Sequence, residues 1–424
     1  MNGIIKNPSE SEWPELIKRP EINSEDLEET ISEVINAVKK EGDDKVKNYS
    51  LLFHGFSPEN LWVTEKEIKE SAKKINKNLK KAILIAKRNI EKFHKRQVDK
   101  VKKIETTSGV HCWRKSVPIE KIGLYIPGGS APLFSTLLML GIPARIAGCT
   151  DILVTTPANK NGNVDTAILF VAHILGIKNI YKGGGAQAIA AMAYGTQTVK
   201  KVDKIFGPGN QFVTCAKKLV SRDGVAIDML SGPSELAVFA DDSCMPAFVA
   251  ADLLSQAEHG ADSQVLLVTV NQQIIEKVIL EINTQLPLLP RSEIIEKSLL
   301  NGRFIVMEAV KNAFGFLNCY APEHLIIASD NAEELAEQVS NAGSVFLGNY
   351  SPESAGDYAS GTNHSLPTNG LAKTCSGVSI DSFVKKITFQ KLSEVGIKNL
   401  SSAVETMAEA EGLLAHKNAV SIRL

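Results

Sequence analysis

Apolar residues recur at helical spacing through the first 100 residues and then give way to short apolar runs, so the chain reads as a helical segment followed by alternating strands and helices. Leu27, Ile31, Val34, Ile35 and Val38 lie three or four residues apart and predict a helix opened by Ser24 and ended at Gly42. Thr64-Glu65-Lys66-Glu67 is a capping box, and behind it Ile68, Ala72, Ile75, Leu79, Ala82, Ile83, Ala86, Ile90 and Phe93 predict one long amphipathic helix. From Lys121 onward strands are predicted at 122–126, 151–155, 179–181, 202–206, 236–240, 264–270, 304–307, 325–328 and 344–347. Strands alternating with helices in that number suffice for two parallel sheets in an α/β fold.

The glycine-rich stretch 127–231 carries its own alternation and reads as one βα unit inserted into another. The expected division is an N-terminal arm at 1–22, a discontinuous α/β domain made of 23–124 and 236–376, an inserted domain at 125–235 and a C-terminal arm at 377–424. No short-period repeat or low-complexity segment interrupts it.

Composition narrows the partners. With 44% hydrophobic and 22% charged residues over 424 positions, the chain is that of an ordinary globular protein. A formal net charge of −1 provides no basic field for nucleic acid or a membrane surface, and the basic cluster at 95–103 reads as the solvated end of a helix. Neither a signal-peptide core at the N-terminus nor an apolar run of ~20 residues is present, so a cytoplasmic location is expected. The six cysteines are scattered without a CxxC pair and read as reduced thiols.

Several polar clusters stand out against this background. Gln256 and His259 lie three apart at the end of an apolar helix with Gly260 as its expected stop, where they either share a metal ion or merely cap the helix. Pro127-Gly128-Gly129, Gly183-Gly184-Gly185 and Gly207-Pro208-Gly209-Asn210 each follow a predicted strand, as nucleotide-binding turns and ordinary tight turns both do. Glu323-His324 precedes a strand and pairs a carboxylate with an imidazole, two bases suited to successive proton transfers; a surface pair held by hydrogen bonds is the alternative. Asp357 sits in a long polar stretch, 354–364, expected to be a loop, either as an oxygen ligand or as an Asx turn. No HExxH, GxSxG or Walker A motif occurs, which removes most support for zinc peptidases, α/β-hydrolases and P-loop enzymes.

Taken together, Tyr125-Ile126-Pro127-Gly128-Gly129, Gly184-Gly185-Ala186-Gln187, Phe206-Gly207-Pro208-Gly209-Asn210, Ser231-Gly232-Pro233-Ser234-Glu235, Gln256-Ala257-Glu258-His259-Gly260, Ala321-Pro322-Glu323-His324-Leu325, 356–364 and Glu411-Gly412-Leu413 with His416 resemble, in order, the histidinol dehydrogenase family. The resemblance implies two incomplete Rossmann-like, aldehyde-dehydrogenase-like parallel-sheet domains and a C-terminal arm exchanged in an intertwined homodimer. It implies oxidation of L-histidinol to L-histidine through L-histidinaldehyde, with NAD and one zinc ion per subunit. By position, the implied zinc ligands are Gln256, His259, Asp357 and His416, the last reaching the neighbouring subunit's site. The implied acid–base residues are Glu323 and His324. Substrate contacts fall on Ser234, Gln256, His259, His324, Asp357, Glu411 and His416, with Glu411 also crossing the interface, and NAD contacts on Tyr125, Gln187 and Asn210. A cysteine-dependent aldehyde dehydrogenase, a metal-dependent hydrolase and a nucleotide-binding regulatory module are the competing readings.

Overall fold

Continuous apolar runs put two parallel sheets at the centre of the molecule, because a strand buried on both faces has no polar side to alternate with. A computed structural model describes residues 3–20, 25–57, 59–128, 132–230 and 232–424; Ser24, Gly129 and Ser231 lie outside them. One sheet orders its strands Ile5–Lys6, Arg303–Val306, Gln264–Thr269, Glu235–Ala240, His324–Ala328 and Ser344–Leu347, all parallel. The other orders Asn179–Tyr181, Asp151–Thr155, Lys121–Tyr125, Lys204–Phe206 and Ala226–Ile227, again all parallel. The two are wound alike. Apart from the edge strand Ile5–Lys6, later strands in each add first to one side of Lys121–Tyr125 or Glu235–Ala240 and then to the other, leaving a switch point beside it. Those points fall between Lys121–Tyr125 and Lys204–Phe206, and between Glu235–Ala240 and His324–Ala328.

The predicted strands are all present, with ends shifted by at most two residues. A third, antiparallel sheet was not anticipated: Val110–Pro118 lies between Lys103–Thr107 and Val384–Leu392. Through it the C-terminal region is tied to the rest of the chain before continuing as the helices Glu394–Ala410 and Leu414–Ser421, whose residues are mostly exposed.

Two expectations are corrected. The long helix expected after Thr64 is two helices, Glu65–Lys74 and Lys77–Lys95, because Ile75 is extended and Asn76 starts a new helix by accepting from the Asn78 and Leu79 N–H groups. The helical segment expected to share a domain with 236–376 packs instead on the glycine-rich sheet. Ile31, Val34 and Val38 meet Ile189, Val213 and Val220 on one face, and Ile68, Ile83 and Ile90 share the core of the other with Leu124, Leu138 and Phe170. Apolar stripes go to the nearest uncovered sheet face, and the helices Pro246–Ala257, Gln272–Gln285 and Ser292–Leu299 already cover one face of the other sheet. Its second face takes Val310–Tyr320 together with Trp13, which meets Phe316 edge-on at 5.7 Å. Among the described residues no helix is long and apolar enough to cross a membrane.

Candidate active site

The carboxyl edge of the five-stranded sheet faces the amino edge of the six-stranded one, and a cleft runs between them. Pro208, Gly209, Asp228 and Met229 line it from the first, Gly232, Ser234 and Glu323 from the second, and His364 to Leu366 and Thr368 from the following loop.

At the amino edge, Glu323 and His324 stand at the start of a strand, beside Glu235 at the start of its neighbour. The Glu235 N–H donates to Glu323 Oε2 at 3.0 Å, and His324 Nδ1 lies 3.2 Å from the Glu235 carbonyl oxygen. The main chain of one residue, on either side of its Cα, therefore grips both side chains. Opposite a carbonyl, Nδ1 must carry the ring proton, which leaves Nε2 as the free base. Nε2 is buried, lies 3.5 Å from Asp357 Oδ1 and makes no hydrogen bond among the described residues. Burial pushes the Glu323 carboxyl up to about 8. Burial also opposes charge on His324, but Glu323, Asp357 and Glu353 outweigh it and hold the imidazole up, at about 10, so the pair is free to accept protons only when positive charge in the neighbouring cluster offsets those carboxylates.

Asp357 does not sit in a loop. Its stretch folds into the short helix Glu353–Tyr358, which puts Glu353 and Asp357 one turn apart on the same side. Their carboxylate oxygens and a ring nitrogen of His259 all lie within 4.8 Å of one another. Gln256 belongs to the same cluster: with the amide oxygen and nitrogen assigned by their hydrogen-bonding partners, the nitrogen donates to Glu353 Oε1 at 2.6 Å and Oε2 at 2.9 Å, which fixes the way the carbonyl faces. The helix Pro246–Ala257 carries Gln256 in its last turn, while His259 follows in a turn; Gly260 does not adopt the left-handed conformation expected of a stop. His364 closes the group, with Nδ1 2.9 Å from the Asp357 carbonyl. Burial pushes Glu353 up to about 8, whereas for Asp357 the same burial is overcome by His324 and the surrounding imidazoles, which keep its carboxyl low. Two carboxylates, an imidazole and an oriented amide oxygen at such separations fit a borderline divalent cation, whose charge would offset this crowding.

At the carboxyl edge of the other sheet, the Tyr125 hydroxyl accepts from the Gly185 N–H at 3.1 Å. Gly185 opens the helix Gly185–Tyr194, whose first turn has no side-chain cap, and both amide atoms of the fully buried Gln187 lack partners among the described residues. Such an orphaned amide at an open helix N-terminus fits a dinucleotide better than a packed core. The neighbouring turn is built tightly. Gly207 has φ +125°, and a Cβ there would overlap the Tyr125 carbonyl oxygen. Asp228 Oδ2 accepts from the Gly207 N–H at 2.8 Å, and Lys217 Nζ donates to the Gly207 carbonyl at 2.9 Å, the two side chains forming a buried ion pair. Asn210 then caps the next helix, accepting from the Val213 N–H at 3.2 Å.

The profile of the histidinol dehydrogenase family matches residues 17–424. The chain is 57% identical to the histidinol dehydrogenase of Bacteroides thetaiotaomicron, the match covering 100% of this chain and 99% of that one, and 51% identical to that of Campylobacter jejuni over 99% and 98%. The crystal structure of histidinol dehydrogenase from Elizabethkingia anophelis superposes with a TM-score of 0.97 at 54% identity, covering 99% of this chain and 97% of that one. The chain belongs to the histidinol dehydrogenase family. As a histidinol dehydrogenase it is an enzyme, an oxidoreductase of histidine biosynthesis. An acetylating aldehyde dehydrogenase from Geobacillus thermoglucosidasius shares the fold at a TM-score of 0.50 and 13% identity.

Of the residues that the likeness to histidinol dehydrogenases singled out, Glu323, His324, Gln256, His259, Asp357 and Ser234 converge on the cleft or its cation cluster, and Tyr125, Gln187 and Asn210 share the opposite edge. Glu411 and His416 do not join them within one chain: both are exposed on the C-terminal arm. The sequence reading missed Glu353, which its Glu-x-x-x-Asp spacing to Asp357 would have flagged; it quoted Glu235 within a motif but gave it no role, and it missed Arg19, which carries no local signal. Among the described residues no cysteine lines the cleft, and burial pushes the thiols of Cys149 and Cys244 up to about 11, which argues against thiol catalysis.

Proposed function

We propose that this enzyme oxidises L-histidinol to L-histidine in two successive steps through L-histidinaldehyde, with Glu323 and His324 as its acid–base pair. The observation that carries the reading is the grip of the Glu235 peptide on both side chains, which leaves His324 Nε2 as an unpartnered base beside the cation cluster. When bound, NAD supplies the hydride acceptor, and a zinc ion held by Gln256, His259 and Asp357 supplies positive charge that anchors the substrate nitrogens and offsets Asp357 and Glu353.

His324 Nε2 takes the hydroxyl proton as the substrate C–H bond gives up its hydride. Glu323 then takes a proton from water as the water oxygen bonds to the aldehyde carbon, and His324 Nε2 returns its proton to the carbonyl oxygen, which completes the hydrate and restores the base. His324 accepts the hydroxyl proton of the resulting hydrate in the second oxidation, so each step releases one hydride and one proton. Tyr125, Gln187 and Asn210 position the dinucleotide across the cleft, and Ser234 contacts the substrate.

His416 and Glu411 complete the site from a second subunit in an intertwined homodimer. Support comes from the apolar surface around them: Leu413, Leu414 and Ile422 on the arm are 44%, 63% and 76% exposed in the single chain. The six free thiols suit the cytoplasm. The test is NADH formation from histidinol before and after chelation and zinc return. About two NADH per histidinol, lost on chelation and restored by zinc, is expected; a ratio near one, or indifference to chelation, would overturn the reading.

A further inference from the structure

Arg19 comes from the N-terminal segment, 216 positions before Glu235, yet its guanidinium meets that carboxylate as a two-pronged fork, Nε to Oε1 and Nη2 to Oε2, each at 3.0 Å. Nη2 also donates to the Tyr320 carbonyl at 2.6 Å, and the guanidinium carbon lies 4.0 Å from the centroid of the Tyr320 ring. The Glu235 side chain is 1% exposed, and its Oε1 accepts a further hydrogen bond from the Asn369 N–H at 2.6 Å. The carboxylate is thus held from two sides.

A buried ion pair is a poor device for stability alone, since desolvating the charges offsets much of their attraction. What a planar fork adds is orientation. Here the oriented residue is the one whose N–H holds Glu323 and whose carbonyl holds His324. We propose that Arg19 and Glu235 are positioning residues for the reaction: their ion pair fixes the Glu235 peptide so that Glu323 and His324 are presented together to the substrate. This rests on Glu323 and His324 being the acid–base pair. Among the described residues neither positioning side chain hydrogen-bonds to Gln256, His259, Asp357, Tyr125, Gln187 or Asn210, so their loss acts on turnover and not on zinc or NAD binding.

The test compares Arg19→Ala, Arg19→Lys and Glu235→Gln with His324→Asn in the zinc-loaded enzyme, reading kcat, the KM values for histidinol and NAD, zinc content and Tm. Arg19→Ala is expected to lower kcat about 100-fold, as a displacement of ~1 Å in a catalytic group does, with KM values within about twofold. Added guanidinium restores much of the lost kcat, and Arg19→Lys, which cannot form the fork, recovers only part of it. If Arg19→Ala fails to fold, Glu235→Gln keeps the shape, removes the charged fork and is expected to show the same split. Unchanged kcat in Glu235→Gln, or a parallel loss of kcat, substrate affinity and zinc that guanidinium does not reverse, overturns the proposal. A fully active His324→Asn enzyme would instead overturn the assignment of the acid–base pair.

Discussion

Nδ1 of His324 lies 3.2 Å from the main-chain carbonyl oxygen of Glu235, so the strand next to the histidine fixes its tautomer. An asparagine at position 324 can still present an N–H near that carbonyl but offers no base in place of Nε2. His324→Asn is therefore expected to keep the local fold and the KM for histidinol within a few-fold, while kcat falls by about 10²–10⁴, the usual contribution of a positioned general base. Steady-state kinetics with histidinol checks this, and a kcat within about threefold of the parent enzyme would remove His324 from the chemistry.

Glu323 is held by the main chain of the same residue, and the proposed mechanism gives it a different task. Its Oε2 is engaged by the Glu235 N–H at 3.0 Å, leaving Oε1 to meet a water. Glu323→Gln preserves the hydrogen-bonding shape on one side and removes the base. The alcohol step should survive while hydration of the aldehyde stalls, so the yield falls from about two NADH per histidinol toward one and aldehyde accumulates. Trapping the aldehyde with a carbonyl reagent measures the change. Normal acid formation from supplied histidinaldehyde would assign the water step elsewhere.

How much of this was legible beforehand follows from which side chains are buried. The parallel strands stood out because all six residues of Glu235–Ala240 and of Gln264–Thr269 are buried, giving unbroken apolar runs. Lys103–Thr107 was missed, and the strand texture of the last 45 residues was not resolved into Val384–Leu392 and its pairing, because these side chains are largely exposed and a ladder of backbone hydrogen bonds between polar strands leaves little hydrophobic period. Ile75 continued a helical stripe by count, yet an asparagine cap one residue later broke the helix there. At the site, Gln256, His259 and Asp357 stood out by residue type and spacing as either ligands or plain caps and turns, and the family likeness joined them into one set, whereas the Arg19 fork on Glu235 spans the chain and no local pattern records it.

Glu353 orients Gln256 and not a neighbour of its own, since both of its carboxylate oxygens accept from the Gln256 amide, at 2.6 and 2.9 Å. Removing that acceptor frees the amide to rotate and to aim its nitrogen, which cannot ligate, at the cation. Glu353→Ala, which leaves no acceptor oxygen, is expected to weaken zinc binding about 10–100-fold, the range typical of lost outer partners of metal ligands. Titration of metal-free protein with zinc by calorimetry gives the constant directly. At saturating zinc, kcat should stay close to that of the parent; an unchanged zinc affinity would separate Glu353 from the cation cluster.

The exposed position of His416 on the helix Leu414–Ser421 turns subunit exchange into a yes-or-no experiment. His324 lies in the cleft of its own chain, so enzyme with His324→Asn and enzyme with His416→Ala are each expected to be nearly inactive as homodimers. Mixed, unfolded and refolded together, they form hybrids. If His416 serves the partner's site, one site of each hybrid pairs an intact His324 with an intact His416 and the other site carries both defects. Random reassociation makes about half of the dimers hybrids, so the mixture should recover about a quarter of the parent activity. If His416 serves its own chain, every site in the hybrid carries one defect and no activity returns. Recovery that tracks the hybrid fraction separated by tag would place the arm across the interface, and its absence, with hybrids shown to be present, would confine the site to a single chain.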